Sequence, residues 1–373
     1  MLVFDETGSA AATAALFLAM QFLPAFVSPA LVARAEMTGT RVVLPLIYLS
    51  EAALFLALAF SADAFSLPVV LALVTLDGSL AITANAFIRA TTASVLTPKG
   101  LLREGNAIFN IAMTAAAAAG PAVSGLAVAS MGVKGALLLD VASFLVAGAV
   151  LFMSRSLPDV KAMADDPWRQ RLRDGIAYVS RSRVLTGLIT AQAAAMVFFT
   201  AVLPVEIIYA KESLDAGTSG YGALLGAWGV GMIVGGLLFT AFRRTSIRLL
   251  LALSTLAIGV AYLGMAVAGT LAVACAAGAL GGIGNGIQWI SMLNAIQELT
   301  AERYQARVVG LLESVSSAMP GLGFVIGGVL ATVFDPRVTF AAAGLGIAVV
   351  LAVAALRLGT VSWKAGQPLR DAG

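Results

Sequence analysis

Histidine is absent from all 373 residues, and cysteine occurs once, as Cys275. The first absence removes the commonest metal ligand and any imidazole proton relay, leaving carboxylates as the groups able to carry a proton near neutral pH. The second excludes a disulfide framework and a cysteine metal site. Charge is scarce too: Asp, Glu, Lys and Arg make up 12% of the chain, against about 25% in a soluble globular protein. That is too little to solvate the surface of a chain this long, and no stretch beyond about 30 residues is polar enough to fold in water alone. A nucleotide-binding glycine loop with lysine, paired metal ligands and a nucleophile arrangement are all missing from the sequence. An enzyme, a bound metal or cofactor, and a nucleic-acid partner are therefore not expected. Nor is a signal peptide, because Asp5 and Glu6 stand where a basic leader would be and the first apolar run is too long.

What remains is apolar. Hydrophobic residues make up 60% of the chain, and the mean hydropathy is +0.96. Runs long enough to cross a bilayer fall near 9–33, 42–60, 66–93, 105–130, 134–154, 184–211, 218–241, 247–268, 270–297, 307–334 and 336–357. The expected fold is an all-α membrane protein of about eleven transmembrane helices, five before and six after the polar stretch 155–183. Its partners are the lipid bilayer and a small molecule.

Lys and Arg mark the cytoplasmic loops. Nineteen of the 23 basic residues fall in one set of alternate loops, among them Arg41, Arg243, Arg244 and seven between Arg155 and Arg183. The opposite set holds only Lys134, Lys211 and Arg337, and Arg89 lies inside a span. This split places the C-terminus and the 155–183 connector in the cytoplasm and Met1 outside, and accounts for the net charge of +3. The expected segments are an N-terminal transmembrane half (1–154), the connector (155–183), a C-terminal half (184–357) and a cytoplasmic tail (358–373). Met1 on the outer side predicts a further helix ahead of it. In the connector, Asp165-Asp166-Pro167 predicts a helix start. Trp168, Leu172, Ile176 and Val179 then predict an amphipathic helix lying on the inner membrane surface.

The halves repeat. Shifting by 203 positions pairs the segment from Leu96 with that from Leu299, so that Gly120 meets Gly323 and Gly125 meets Gly328. Repeated helical halves with a substrate site between them are a recurrent transporter plan. Proline bends a helix and glycine admits a close neighbour. Gly120-Pro121 with Gly125, and Pro320-Gly321 with Gly323, Gly327 and Gly328, thus predict bent, tightly packed helices.

Ionisable residues within spans mark functional sites by default. Asp77, near the centre of 66–93, and Glu51, about nine residues into its span, are candidates for substrate or proton contact or for helix–helix hydrogen bonds. Glu206 and Glu313, nearer helix ends, are further candidates for substrate or proton contact, or can simply reach the interface. Asn285, Gln288, Ser291 and Asn294 recur every three residues and, with Gln192 and Gln21, can line an apolar pocket or bond neighbouring helices. Arg89 can snorkel to the cytoplasmic interface or pair with Glu36 across an inner gate.

Several motifs resemble the major facilitator superfamily, specifically the drug-exporter branch that includes macrolide efflux and enterobactin export proteins. Glu6-Thr7-Gly8-Ser9 and Gln21-Phe22-Leu23-Pro24 are similar to the exit from that branch's first helix and the start of its second, implying a chain without that first helix. Asn106, Gly120-Pro121, Gly125, Gly132, Asp140 and Phe144 resemble its N, GPxxG, G and D-x-x-x-F pattern, and PWRQRLRDGIAYVSRSRVL resembles its connector. The superfamily's gate loop has a glycine, an aspartate and basic residues. Here Val32 and Glu36 replace the first two and Arg41 is kept, while Gly235-Gly236 with Arg243 and Arg244 form the counterpart. The resemblance implies two pseudo-symmetric halves, alternating access, gating by these loops and by Gly120, Pro121 and Gly125, and proton-coupled export of amphipathic or hydrophobic compounds from a bacterial cell. A lipid or siderophore carrier, and a non-transporting or truncated membrane protein, remain alternatives.

Overall fold

A computed structural model of the protein describes residues 2–35, 38–61, 65–154, 168–242 and 245–358. The described backbone is helical throughout and forms two compact units, Met1–Met163 and Ala164–Gly373. The first unit holds α1 (Leu2–Thr7), α2 (Ala10–Phe17), a π-helical segment (Leu18–Phe22), α3 (Pro24–Ala35), α4 (Thr40–Ser61), α5 (Leu67–Leu96) and α6 (Leu102–Met153). The second holds α7 (Trp168–Ser180), α8 (Arg183–Ala201), α9 (Glu206–Ile208), a π-helical segment (Tyr209–Ser213), α10 (Gly217–Ala241), α11 (Ile247–Val267), α12 (Leu271–Leu299), α13 (Glu302–Val333) and α14 (Pro336–Leu358). Among the described residues, ten helical segments are long and apolar enough to cross a membrane. Helices begin where hydroxyl side chains can satisfy a free backbone N–H. Ser9 accepts from Ala12 N (3.2 Å), Ser182 from Leu185 N (3.3 Å), Ser246 from Leu249 N (3.3 Å) and Thr270 from Val273 N (3.4 Å).

The expected runs 105–130 and 134–154 join in α6, which is two helices across a kink at Gly132. Its φ of 72° and ψ of 174° belong to a region that only glycine occupies cheaply. The second limb, Ser130–Met153, is one of the ten candidate spans.

In each unit the apolar core is split. In the first, Val3, Ala12, Ala19, Leu58, Val70 and Val74 form one cluster, and Val43, Leu44, Ile47, Ala84 and Phe87 another. Glu51 and Asp77 therefore fall, along α4 and α5, between two apolar layers. In the second unit one cluster centres on Tyr209, Leu224, Tyr262, Met265 and Phe340, the other on Leu185, Leu188, Ile296, Val308 and Leu312. Large apolar side chains such as Phe26, Val146, Leu237 and Val349 stay exposed on the helix surfaces, the arrangement expected where lipid tails are the solvent.

Glycine sets the closest helix approaches. A Cβ on Gly231, Gly235, Gly282 or Gly286 would collide with the carbonyl of Ala279, Ile283, Trp228 or Met232 respectively, so α10 and α12 pack backbone to backbone. Gly235 and Gly236 thus lie inside α10, not in a gate loop; Gly235 is a packing residue. A Cβ on Gly323 would meet Thr200 and Val197, and one on Gly327 the Ala201 carbonyl, which presses α13 onto α8 as the second repeat motif predicts. Gly120 differs: among the described residues nothing lies within 4 Å of its added Cβ, so none of them packs tightly there.

The connector helix also departs from expectation. Instead of only resting on a membrane surface, α7 packs on α8 and α13. Val179 is buried among Leu185, Val308 and Leu312, Tyr178 stacks on Tyr304 (4.4 Å), and the Tyr178 hydroxyl accepts from Ala301 N (3.0 Å). Ile176 remains exposed, and Asp165, Asp166 and Pro167 lie outside the described residues.

Gly132→Val should cost about 1–3 kcal/mol through backbone strain alone and lower the melting temperature in detergent. Gly120→Ala, with open space around its Cβ, should leave melting unchanged.

Candidate functional site

The first unit brings three carboxylates together. Glu51 lies ten residues before the end of α4 at Ser61, Asp77 ten after the start of α5 at Leu67, and Asp140 eight after the Gly132 kink in α6. Residues 62–66 connect α4 to α5 in the chain, and the Lys134 ammonium of α6 sits over the Phe60 ring of α4 at 5.2 Å. At about 1.5 Å per residue, ten residues is about 15 Å, half of an approximately 30 Å hydrocarbon core.

Packing fixes the register. Phe144 of α6 sits between Tyr48 (6.2 Å) and Phe55 (5.1 Å) of α4, one turn from Asp140. A Cβ on Gly78 would strike the Met20 carbonyl and Pro24, so α5 lies against the Leu18–Phe22 segment right beside Asp77. Glu51 and Asp77 are close enough to feel each other's charge, as are Asp77 and Asp140, and Tyr48 lies in range of Glu51. Exposure is graded: Glu51 is buried (3%), Asp77 half-buried and Asp140 exposed. Such a row can take up and pass on positive charge. Among the described residues no group of His, Cys, Asp or Glu is arranged to hold a metal ion.

The second unit contains a different acid. Pro204 cannot donate a backbone hydrogen bond, and the helix ends at Ala201, turns through 202–205 and resumes as α9 with Glu206. Glu206, a candidate for substrate or proton contact that could also have reached the interface, is enclosed. It is 6% exposed, its Oε2 has no hydrogen-bond partner among the described residues, and the hydroxyls of Tyr221 and Tyr262 lie in range of its charge. Around it runs an aromatic chain. Trp228 stacks on Tyr262 (5.5 Å), Tyr262 meets Phe199 (6.3 Å) and Phe340 (6.0 Å), and Phe340 meets Tyr209 (4.6 Å).

Arg337 closes this end. Its Nη1 donates to the carbonyls of Ala266 (3.1 Å) and Ala268 (2.6 Å), its Nη2 to that of Ser213 (3.0 Å), and its guanidinium lies over the Tyr209 ring (5.7 Å). One side chain thus ties the start of α14 to the α11–α12 turn and the Tyr209–Ser213 segment.

The other candidates divide. Gln288 Nε2 donates to Thr255 Oγ1 (3.4 Å) between α12 and α11, an interhelical bond rather than a free pocket group. Ser291 is fully buried and Gln192 is 5% exposed, with Ser291 Oγ and Gln192 Oε1 unpartnered among the described residues; Asn285 and Asn294 are half-buried. Arg89 is exposed, with its guanidinium 5.9 Å from the Phe109 ring, and Arg41 is exposed. Glu36, Arg243 and Arg244 lie outside the described residues, as do the side chains of Pro121 and Glu313 and the surroundings of Gly125. The Arg89–Glu36 pairing therefore has no described geometry.

Residues 188–371 match the sequence profile of the Major Facilitator Superfamily. No curated protein sequence matches the chain. Among solved structures, the nucleoside transporter NupG superposes with a TM-score of 0.66 at 13% identity, covering 94% of this chain and 91% of that one. A bacterial homolog of the human lysosomal transporter Spinster, inward-facing and occupied, gives 0.71 at 13% identity over 95% and 91%. A POT family transporter in complex with a thioalcohol conjugated peptide gives 0.67 at 13% identity over 94% and 86%.

The chain has the major facilitator fold. It shares that fold with the transporters just named. Within the major facilitator fold, sequence reasoning missed Asp140 as a site residue, since it entered only as part of a motif. The available signal was that it is an acid inside the apolar run 134–154. Tyr221, Tyr262 and the Arg337 clamp carried no sequence signal, because their roles come from contacts between helices distant in the chain.

Arg337→Met removes three charge-assisted hydrogen bonds and should destabilise the second unit by about 2–4 kcal/mol, read as a lower melting temperature in detergent. An unchanged melting temperature would mean that the clamp contributes nothing.

Proposed function

We propose that the protein is a proton-coupled secondary exporter of small amphipathic or hydrophobic compounds in a bacterial plasma membrane, working by alternating access. The observation that carries this reading is that the packed helices α4, α5 and α6 hold Asp77 in charge range of both Glu51 and Asp140. Three ionised carboxylates there would repel each other and forfeit hydration. A proton or a cationic substrate group relieves both costs, and binding the two in alternation couples their movements. With no histidine in the chain, these carboxylates are the natural proton carriers. The scarcity of fixed charge along the spans favours amphipathic cargo. The outward direction rests on the resemblance of Gly120-Pro121 with Gly125 to the exporter motif.

In proteoliposomes with an imposed proton gradient, the intact protein should move lipophilic dyes, and Asp77→Asn should slow that movement by about tenfold or more. Full activity in the variant would remove Asp77 from the coupling path. The charge bias also predicts a cytoplasmic tail. In a Cys275→Ser background, a cysteine at Ala365 should react with an impermeant maleimide only after the cells are opened, whereas labelling of intact cells would reverse the assigned orientation.

A further inference from the structure

The proposed exporter mechanism uses the carboxylates of the first unit and leaves Glu206 without a task. A buried carboxyl is ordinarily paired with a cation or fully hydrogen-bonded, because an unsatisfied one is costly. Glu206 has neither arrangement. It is more than nine-tenths buried, Oε2 is unpartnered, and no ion pair reaches it among the described residues. Its neighbours in the chain, Val202, Val205, Ile207 and Ile208, are 0–3% exposed. The backbone is broken here as well, with a turn at 202–205 ahead of α9 and a π-helical segment after it. Irregular backbone within a span is tolerated where protein or a water-filled path covers it, and π-segments concentrate at functional sites.

The surrounding titratable groups are mostly engaged elsewhere. Tyr221 on α10 and Tyr262 on α11 lie in charge range of Glu206, and the Tyr262 hydroxyl donates to the Phe199 carbonyl (3.3 Å). On the following segment, the Tyr209 hydroxyl donates to the Met265 carbonyl (2.5 Å), and Lys211 and Glu212 lie beyond it. Cys275 of α12 and Asp335 flank Tyr209, while the Arg337 guanidinium is taken by three carbonyls. Tyr221 is therefore the hydroxyl facing Glu206 with no bond to another group shown among the described residues.

We propose that Glu206 is a second proton-binding site, separate from the Glu51–Asp77–Asp140 row, which exchanges protons with the outer side next to the Tyr221 hydroxyl. The side follows from the charge bias, which puts Lys211 on the outer surface. The small size of a proton suits a group enclosed by fully buried neighbours. This inference rests on the proton-coupled reading of the protein, but its first test does not depend on transport.

Infrared spectra of the full chain in liposomes, recorded over stepped pH, should contain the carbonyl stretch of a protonated carboxyl that disappears as pH rises. Glu206→Gln should lose that titrating band, and Glu206→Asp, which keeps the carboxyl, should retain it at a displaced frequency. Identical titrations in the intact protein and Glu206→Gln would overturn the proposal. So would a band that is missing from the Gln variant yet never responds to pH in the intact protein, because that carboxyl would be structural. In gradient-driven dye efflux, Glu206→Gln should fall about tenfold, and unchanged efflux would count against the site. Failure of the intact protein to pump would instead strike the exporter reading, leaving the infrared result to decide on Glu206.

Discussion

Carrying charge into hydrocarbon is the constraint on which this structure turns. A chain with 12% charged residues can place nearly all of them in loops, and the basic residues follow that rule closely. The few acids left in the spans face a cost of several kcal/mol each unless something in the protein offsets it. In the first unit that cost is shared by three carboxylates placed between two apolar layers. In the second, Glu206 meets it behind a helix break, with aromatic rings nearby and Arg337 tying the same end of the unit.

Glycine supplies the geometry that makes such burial feasible. With hydrocarbon outside and inside alike, helices gain little by hiding apolar surface and must gain from close contact. The α10–α12 and α8–α13 contacts do so through Gly231, Gly235, Gly282, Gly286, Gly323 and Gly327, whose missing side chains bring backbone against backbone. Gly78 plays the same part beside Asp77, so a functional acid is anchored by a neighbour that has no side chain. Gly132 acts through conformation instead, turning α6 between its two limbs, the second of which carries Asp140.

Much of this was legible in the sequence. Apolar length gave the spans, since each crossing must satisfy its own backbone hydrogen bonds, and isolated acids in those spans pointed to Asp77 and Glu51. Partnership was not legible. Asp140 looked like one motif letter because its closeness to Asp77 depends on packing between helices, and the choice between a pathway and an interfacial role for Glu206 stayed open because a helix break turns a side chain in a way that linear position does not reveal. Pro204 was the one local sign of that break. The repeat misled in the opposite direction: Gly120 and Gly323 occupy matching positions, yet among the described residues only Gly323 has a helix against it. Sequence similarity carries over backbone form more faithfully than it carries over neighbours.

The central claim is that Glu51 and Asp77 work as one proton-coupling unit and not as two independent polar residues. A double-variant cycle in gradient-driven dye efflux tests it directly, using Glu51→Gln, Asp77→Asn and the pair together. Members of one unit are strongly non-additive, so the double variant should be no worse than the more impaired single one. Losses that multiply across the cycle would show two separate contributions and contradict the account.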